Sequence, residues 1–130
     1  MTTGRRLVLV IDDDAEGRIA LRELLAMWDY ETDEAHDGTR AIEMSLEKRP
    51  DIVVLDLGLP DRSGVELIGR LKAAGGFVIA YSGWHNLEAR ARAAGADAFV
   101  LKPNIQDLRR ALAQADVVRI ERAPGRRKSQ

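Results

Sequence analysis

The 130-residue sequence contains no cysteine and no long apolar segment. Without cysteine the chain has no disulfide, no thiol nucleophile and no cysteine zinc site, so a cytoplasmic setting is expected. The longest unbroken apolar runs have five residues, as in Leu7–Ile11. A membrane span needs about 20 apolar residues and a signal peptide about 7–15, so neither is expected. With 45% hydrophobic and 32% charged residues, the composition fits one globular domain without a membrane partner.

The small net charge of −1 conceals an uneven distribution. Residues 1–60 carry seven basic and fourteen acidic side chains, whereas residues 61–130 carry thirteen and seven. This pattern indicates either solvated helix faces throughout or an acidic site in the first half with a cationic surface in the second. Composition alone leaves both interpretations open.

Short apolar runs alternate with segments of helical period along the chain. The runs Leu7–Ile11 and Ile52–Leu55 are rich in β-branched residues, which is typical of strands buried on both faces. Leu21, Leu24, Leu25 and Trp28 recur with the spacing of an amphipathic helix. Five such β/α units predict a parallel sheet with helices on both faces. Val117–Ile120 fits either an extension of the last helix or a short strand.

Chemically active side chains stand where the predicted strands end. The first strand is followed by Asp12 and Asp13, the third by Asp56, the fourth ends at Ser82 and the fifth at Lys102. Ligands of open α/β sheets bind at the carboxyl ends of the strands. We therefore expect these side chains to share one site.

Electrostatic repulsion between the acidic side chains indicates what this site can bind. Two carboxylates about 4 Å apart repel by roughly 4 kcal/mol at an effective dielectric of 20. A divalent cation such as Mg²⁺, with Mn²⁺ as the alternative, relieves this repulsion because it binds carboxylate and carbonyl oxygens. An acidic metal site beside a nucleophilic carboxylate, a hydroxyl and an ammonium suits phosphoryl transfer onto aspartate.

The residues resemble the receiver domain of two-component response regulators over residues 5–115. The segments that carry the resemblance are Leu7–Asp14, Asp51–Gly64, Val78–Gly83 and Gly95–Pro103. The resemblance implies a doubly wound (βα)₅, flavodoxin-like three-layer α/β sandwich with parallel strand order 2-1-3-4-5. It also implies phosphorelay signal transduction rather than enzymatic turnover, by a phosphoprotein that assists its own phosphorylation and dephosphorylation.

The same resemblance implies the site roles. Asp56 would accept a phosphoryl group from a histidine kinase or a histidine phosphotransfer protein. Asp12, Asp13 and Asp56 would hold Mg²⁺, together with the backbone carbonyl of Gly58. Lys102 would pair with a phosphoryl oxygen.

A conformational switch is implied as well. Ser82 would move to bind another phosphoryl oxygen, and Phe99 would change rotamer in response. Ser82 and Phe99 stand where threonine and tyrosine are commoner in the family. The Lys102–Pro103 bond would be cis. The switch would alter the fourth helix, fifth strand and fifth helix, a cationic region expected to bind a downstream protein with an acidic patch.

Gly58 and Trp84 occupy positions that tune dephosphorylation in this family. A second copy of the chain is a further candidate partner. Residues 116–130 are expected to form an extension and a partly disordered basic tail. Its three final basic residues would give only weak, salt-sensitive nucleic-acid binding. The chain would act as a stand-alone receiver or as one excised from a larger regulator or hybrid kinase.

Two other functional classes are alternatives to this interpretation. A phosphatase or phosphotransferase for small substrates usually needs a second acid two residues past the nucleophile, where this chain has Gly58. A pseudo-receiver typically lacks the acid pair, the acceptor or the lysine, all of which are present here.

Overall fold

Five strands and five α-helices alternate along the chain in the computed structural model, which describes residues 5–61 and 63–121. The elements are β1 (Leu7–Ile11), α1 (Ala15–Met27), β2 (Glu31–Ala35), α2 (Gly38–Lys48), β3 (Ile52–Leu55), α3 (Gly64–Ala73), β4 (Phe77–Ser82), α4 (Glu88–Ala93), β5 (Ala98–Leu101) and α5 (Ile105–Glu121). A single 3₁₀ turn, His85–Leu87, precedes α4.

The strands form one parallel sheet in the order β2-β1-β3-β4-β5, which confirms the predicted order. The central strands β1, β3 and β4 are almost wholly buried. The polar strand β2 lies at one edge of the sheet, where Glu31 is exposed and the three residues after it are half-buried.

The core has two layers because successive side chains of a strand point to opposite faces of the sheet. On one face Val8 and Val10 pack with residues of α1 and α5, including Leu25 and Leu112. The opposite layer comprises Leu9, Ile11, Val53 and Leu55 of the sheet with Ala41, Met44, Leu67, Ile68, Leu71 and Ala91 of α2, α3 and α4. Helices thus cover both faces, as the sequence predicts.

Local chemistry fixes where the helices begin and end. Asp14 and Asp37 cap α1 and α2, accepting hydrogen bonds from the N–H groups of Gly17 and Arg40. At the start of α3, a Cβ on Gly64 would lie 2.4 Å from Leu57 Cα, so only glycine fits.

The last helix is longer than the resemblance alone indicates. Val117–Ile120 belongs to α5, which continues to Glu121, so the helical alternative is confirmed and the strand alternative is wrong. The expected boundary at residue 115 therefore falls inside a helix. The basic tail lies outside the described residues. Within residues 5–61 and 63–121, no helix combines the length and apolarity required to cross a membrane.

Candidate functional site

Parallel pairing aligns the carboxyl ends of β1 and β3. Ile11 pairs with Leu55, so Asp12 and Asp56 follow at the same level of the sheet. The Asp12 N–H donates to the carbonyl of Ala35 at 3.1 Å, and the Asp56 N–H donates to that of Ile11 at 2.9 Å. Both aspartates are therefore anchored through their backbones, and their side chains extend past the edge of the sheet.

Three carboxylates cluster at this edge. One oxygen each from Asp12, Asp13 and Asp56 lies within 4.8 Å of the other two. Asp12 is buried, Asp56 is half-buried and Asp13 is exposed, so solvent reaches the cluster from the side of Asp13. Three oxygen ligands from flexible carboxylates fit the preference of a hard divalent cation such as Mg²⁺.

Lys102 faces the cluster from the end of β5. Its Nζ lies 3.3 Å from Asp12 Oδ2 and 3.6 Å from Asp56 Oδ2. It also lies 5.4 Å from the ring centre of Tyr81, within cation–π range. One ammonium thus offsets part of the charge of three carboxylates.

Burial and the charges at this site shift the pKa values of Asp56 and Lys102. Burial raises the pKa of Asp56 above its ordinary value; the Asp12 charge adds to the shift, while the Gly58 N–H and Lys102 oppose it. Burial by itself would lower the pKa of Lys102, but the charges of Asp56 and Asp12 outweigh burial and raise it. The ammonium is therefore charged at neutral pH, while ionised Asp56 carries an energetic penalty.

Ser82 and Phe99 lie on the β4–β5 side of the site. The Ser82 side chain is fully buried, and its Oγ accepts a hydrogen bond from the Trp84 N–H at 3.0 Å. Phe99 is half-buried and packs against the core layer beneath α3 and α4. Trp84 is 64% exposed, so its indole ring projects into solvent. The Lys102–Pro103 peptide bond is cis.

The loop after β3 is held from two sides. The Gly58 N–H donates to Asp56 Oδ1 at 3.1 Å, which orients one oxygen of the candidate acceptor. Asp61 accepts hydrogen bonds from the N–H groups of Gly38 and Thr39 at 2.8 and 3.1 Å, which ties the loop to the start of α2. The structure gives Gly58 a contact through its N–H, and its role as a carbonyl ligand stays a prediction.

Sequence reasoning missed Arg18 as a neighbour of the site. Arg18 Nη1 donates to the carbonyl oxygen of Asp12 at 2.7 Å, and its Nε donates to Glu34 on β2 at 2.8 Å. In the sequence Arg18 is a charged residue on an amphipathic helix, and this pattern does not indicate the contact. The one available signal is its position one turn after the Asp14 cap, which places it above the end of β1.

A cavity of about 360 Å³ adjoins the acidic cluster between α1 and the start of α5. Its wall is mostly apolar, and Asp12 and Lys102 border it on the site side; the other lining residues are Gly17, Ala20, Leu21, Leu24, Tyr81 and Ile105.

The fold and this site together define a flavodoxin-like α/β domain with an acidic cluster and a lysine at the carboxyl edge of its sheet. Comparison with known proteins supplies the family. The sequence model of the response regulator receiver domain matches residues 8–113, and the chain belongs to that family.

Similar proteins agree with this assignment. The transcriptional regulatory protein KdpE of Mycobacterium tuberculosis is 40% identical over 100 residues, covering 75% of this chain and 44% of KdpE. The chain therefore spans less than half the length of this relative.

Solved structures show the same fold. The response regulator TrrA of Thermotoga maritima, in complex with Mg²⁺-BeF, matches with a TM-score of 0.79 and 26% identity, covering 85% of this chain and 98% of that one. A response regulator of Burkholderia pseudomallei, with a phosphorylated aspartic acid, a calcium ion and citrate, matches with a TM-score of 0.77 and 27% identity over 91% and 73%. Receiver domains thus occur in structures that contain divalent ions and an aspartyl phosphate.

Proposed function

We propose that this receiver domain takes a phosphoryl group from a phosphohistidine donor onto Asp56 in a Mg²⁺-dependent reaction. The donor is a histidine kinase or a histidine phosphotransfer protein. The observation that carries the proposal is the convergence of Asp12, Asp13, Asp56 and Lys102 at one edge of the sheet. Three carboxylates this close together repel one another, and a bound divalent cation would relieve that repulsion.

Asp12, Asp13 and Asp56 would hold the metal ion together with the Gly58 carbonyl, and Mn²⁺ could take the place of Mg²⁺. The three carboxylates support this assignment because one oxygen of each lies within reach of a single ion. When bound, the cation neutralises charge on the transferring phosphoryl group.

Residues of this chain orient the attacking oxygen and stabilise the charge of the phosphoryl group. The Gly58 N–H holds Asp56 Oδ1, so Oδ2, which faces Lys102, is oriented as the attacking oxygen. An O–P bond forms as the donor's N–P bond breaks, and the imidazole nitrogen keeps the electron pair and takes up a proton. Lys102 stabilises charge on the phosphoryl oxygens, because its ammonium already lies 3.6 Å from Asp56.

Phosphorylation then acts as a conformational switch. The new oxygens are strong acceptors and attract the O–H of Ser82, whose oxygen accepts a hydrogen bond from the Trp84 N–H before phosphorylation. Movement of this segment opens space for Phe99 to change rotamer. The affected surface is α4-β5-α5, where Leu101 and Ile105 are exposed and both helices carry arginines, and it binds a downstream protein with an acidic patch.

The domain assists its own phosphorylation and dephosphorylation and does not turn over a separate substrate. Gly58 and Trp84 set the lifetime of the aspartyl phosphate by controlling the approach of water. The receiver comprises residues 5–115, and the extension, residues 116–130, begins within α5. We place the protein in the cytoplasm, where its donor phosphorylates it, and a homodimer is a further partner state.

Incubation with a small phosphodonor and Mg²⁺ tests the proposal. We expect one phosphoryl group per wild-type chain by intact-mass spectrometry, and none without divalent ion or in Asp56→Asn. Wild-type protein that stays unmodified would identify a pseudo-receiver. Continuous hydrolysis of a soluble phosphate ester would identify an enzyme for small substrates. A partner pull-down with phosphorylated and unmodified protein then tests the switch.

A further inference from the structure

Arg18 connects the end of β1 to the edge strand β2. Its side chain is 16% exposed, and its Nη1 donates to the Asp12 carbonyl oxygen at 2.7 Å while its Nε donates to Glu34 Oε1 at 2.8 Å. The other oxygen of Glu34 accepts a hydrogen bond from Arg22 Nη1 at 2.8 Å. Glu34 is therefore held by two arginines one turn apart on α1, which fixes the position of the Arg18 guanidinium.

The Arg18 hydrogen bond adds to the other contacts of Asp12, among them Lys102 Nζ at 3.3 Å from its Oδ2. The Asp12 N–H donates to the Ala35 carbonyl at 3.1 Å, and Asp12 Oδ1 accepts from the Asp14 N–H at 2.9 Å. The hydrogen bond from Arg18 holds the Asp12 carbonyl, which belongs to the same planar peptide unit as the Asp13 N–H. Holding this plane sets the direction in which Asp13 leaves the strand, and hence where its exposed carboxylate lies.

We propose that Arg18 is a positioning residue for the divalent cation, because its hydrogen bond to the Asp12 carbonyl aligns the carboxylates of Asp12 and Asp13. The inference rests on the proposed metal site. The direction of the change in cation affinity distinguishes a positioning role of Arg18 from an effect of its charge. The positive charge of Arg18 by itself repels a cation, so an effect of charge alone would make its removal tighten binding. A positioning effect makes the same removal weaken binding.

The test compares Arg18→Met and Arg18→Lys with the matched control Arg22→Met. Arg22 shares the contact with Glu34 and also donates to Thr32 Oγ1, but it lies one turn further from Asp12. Electron paramagnetic resonance of free Mn²⁺ measures binding without any phosphorylation step. We expect about tenfold weaker Mn²⁺ binding in both Arg18 variants, as is typical when residues that orient metal ligands are lost. Arg22→Met should stay within about twofold of wild type.

Thermal unfolding separates positioning from a general loss of structure. Similar losses of Tm in Arg18→Met and Arg22→Met, with weaker Mn²⁺ binding only in the former, support the inference. Should Arg18→Met fail to fold, Arg18→Lys decides, because it keeps the charge and most of the stem but has one nitrogen where arginine has three.

Two outcomes overturn the inference. Unchanged or tighter Mn²⁺ binding in the Arg18 variants contradicts the positioning role of Arg18. It does not contradict the proposed function. Folded wild-type protein that binds no Mn²⁺ removes the proposed metal site and this inference together, so the two failures are distinguishable.

Discussion

Replacing Asp56 by asparagine should stabilise the folded protein in the absence of divalent ions. The substitution keeps the side-chain shape and an oxygen that can accept the Gly58 N–H, but it removes the negative charge. Ionised Asp56 gains one attraction from Lys102 at 3.6 Å and incurs two repulsions from carboxylates within 4.8 Å. At an effective dielectric of about 20, these amount to about 4–5 kcal/mol of attraction and about 3–4 kcal/mol for each repulsion.

The balance is a net repulsion. Because Asp13 is exposed, water screens its share, and we expect the free energy of unfolding of Asp56→Asn to exceed that of wild type by about 1–2 kcal/mol. For a domain of this size, the gain corresponds to a rise of roughly 3–10 °C in Tm. Urea unfolding at pH 7 in a chelating buffer, followed by circular dichroism, measures it.

The pH dependence of the gain provides an internal check. The folded pKa of Asp56 is raised, chiefly by burial, so the unfolded carboxyl ionises at lower pH than the folded one. The cost of the charge is therefore absent below the unfolded pKa of about 3.9 and appears as the pH rises through the folded pKa. The stability difference between Asp56→Asn and wild type should shrink as the pH falls toward 4.

Glu47→Gln is the matched control, since it removes the same charge from an exposed position on α2. We expect it to change the free energy of unfolding by less than about 0.5 kcal/mol. If Asp56→Asn proves no more stable than wild type while Glu47→Gln behaves as expected, the reasoning about crowded carboxylates is refuted.

Three further predictions concern neighbouring residues. Lys102→Met should bind Mg²⁺ more tightly in calorimetry, because the ammonium that competes with the cation is gone; weaker binding would contradict this. Trp84→Ala should change the lifetime of the aspartyl phosphate, and equal decay rates in radiolabelled wild type and variant would reject the proposed role. Gly64→Ala should lower the free energy of unfolding by about 1–3 kcal/mol, because its Cβ meets the Leu57 backbone; an unchanged urea midpoint would count against the close contact.

The sequence predicts the sheet well because its strands are short apolar runs that end abruptly at polar residues. It also predicts the meeting of Asp12, Asp56 and Lys102, since parallel strands bring their carboxyl ends to one edge. The strand order itself came from the family resemblance, because apolar runs alone do not specify which strands are neighbours.

Contacts between surface charges were not predictable in the same way. Arg18 and Glu34 are separated by sixteen residues, and neither breaks the polar pattern of an exposed helix face or an edge strand. Asp61 binds the start of α2 across twenty-three residues, and the sequence around it gives no sign of that partner. Such contacts depend on the relative placement of whole elements, which periodicity does not encode.

The central claim is that the side chain of Asp56 forms the acyl phosphate. Borohydride reduction of the phosphorylated protein, followed by peptide mass spectrometry, locates that bond because it converts an aspartyl phosphate to homoserine. We predict homoserine in place of Asp56 only, and only when Mg²⁺ was present during phosphorylation. Homoserine at Asp12 or Asp13 instead, or none at all in a protein that had gained a phosphoryl group, would contradict the account.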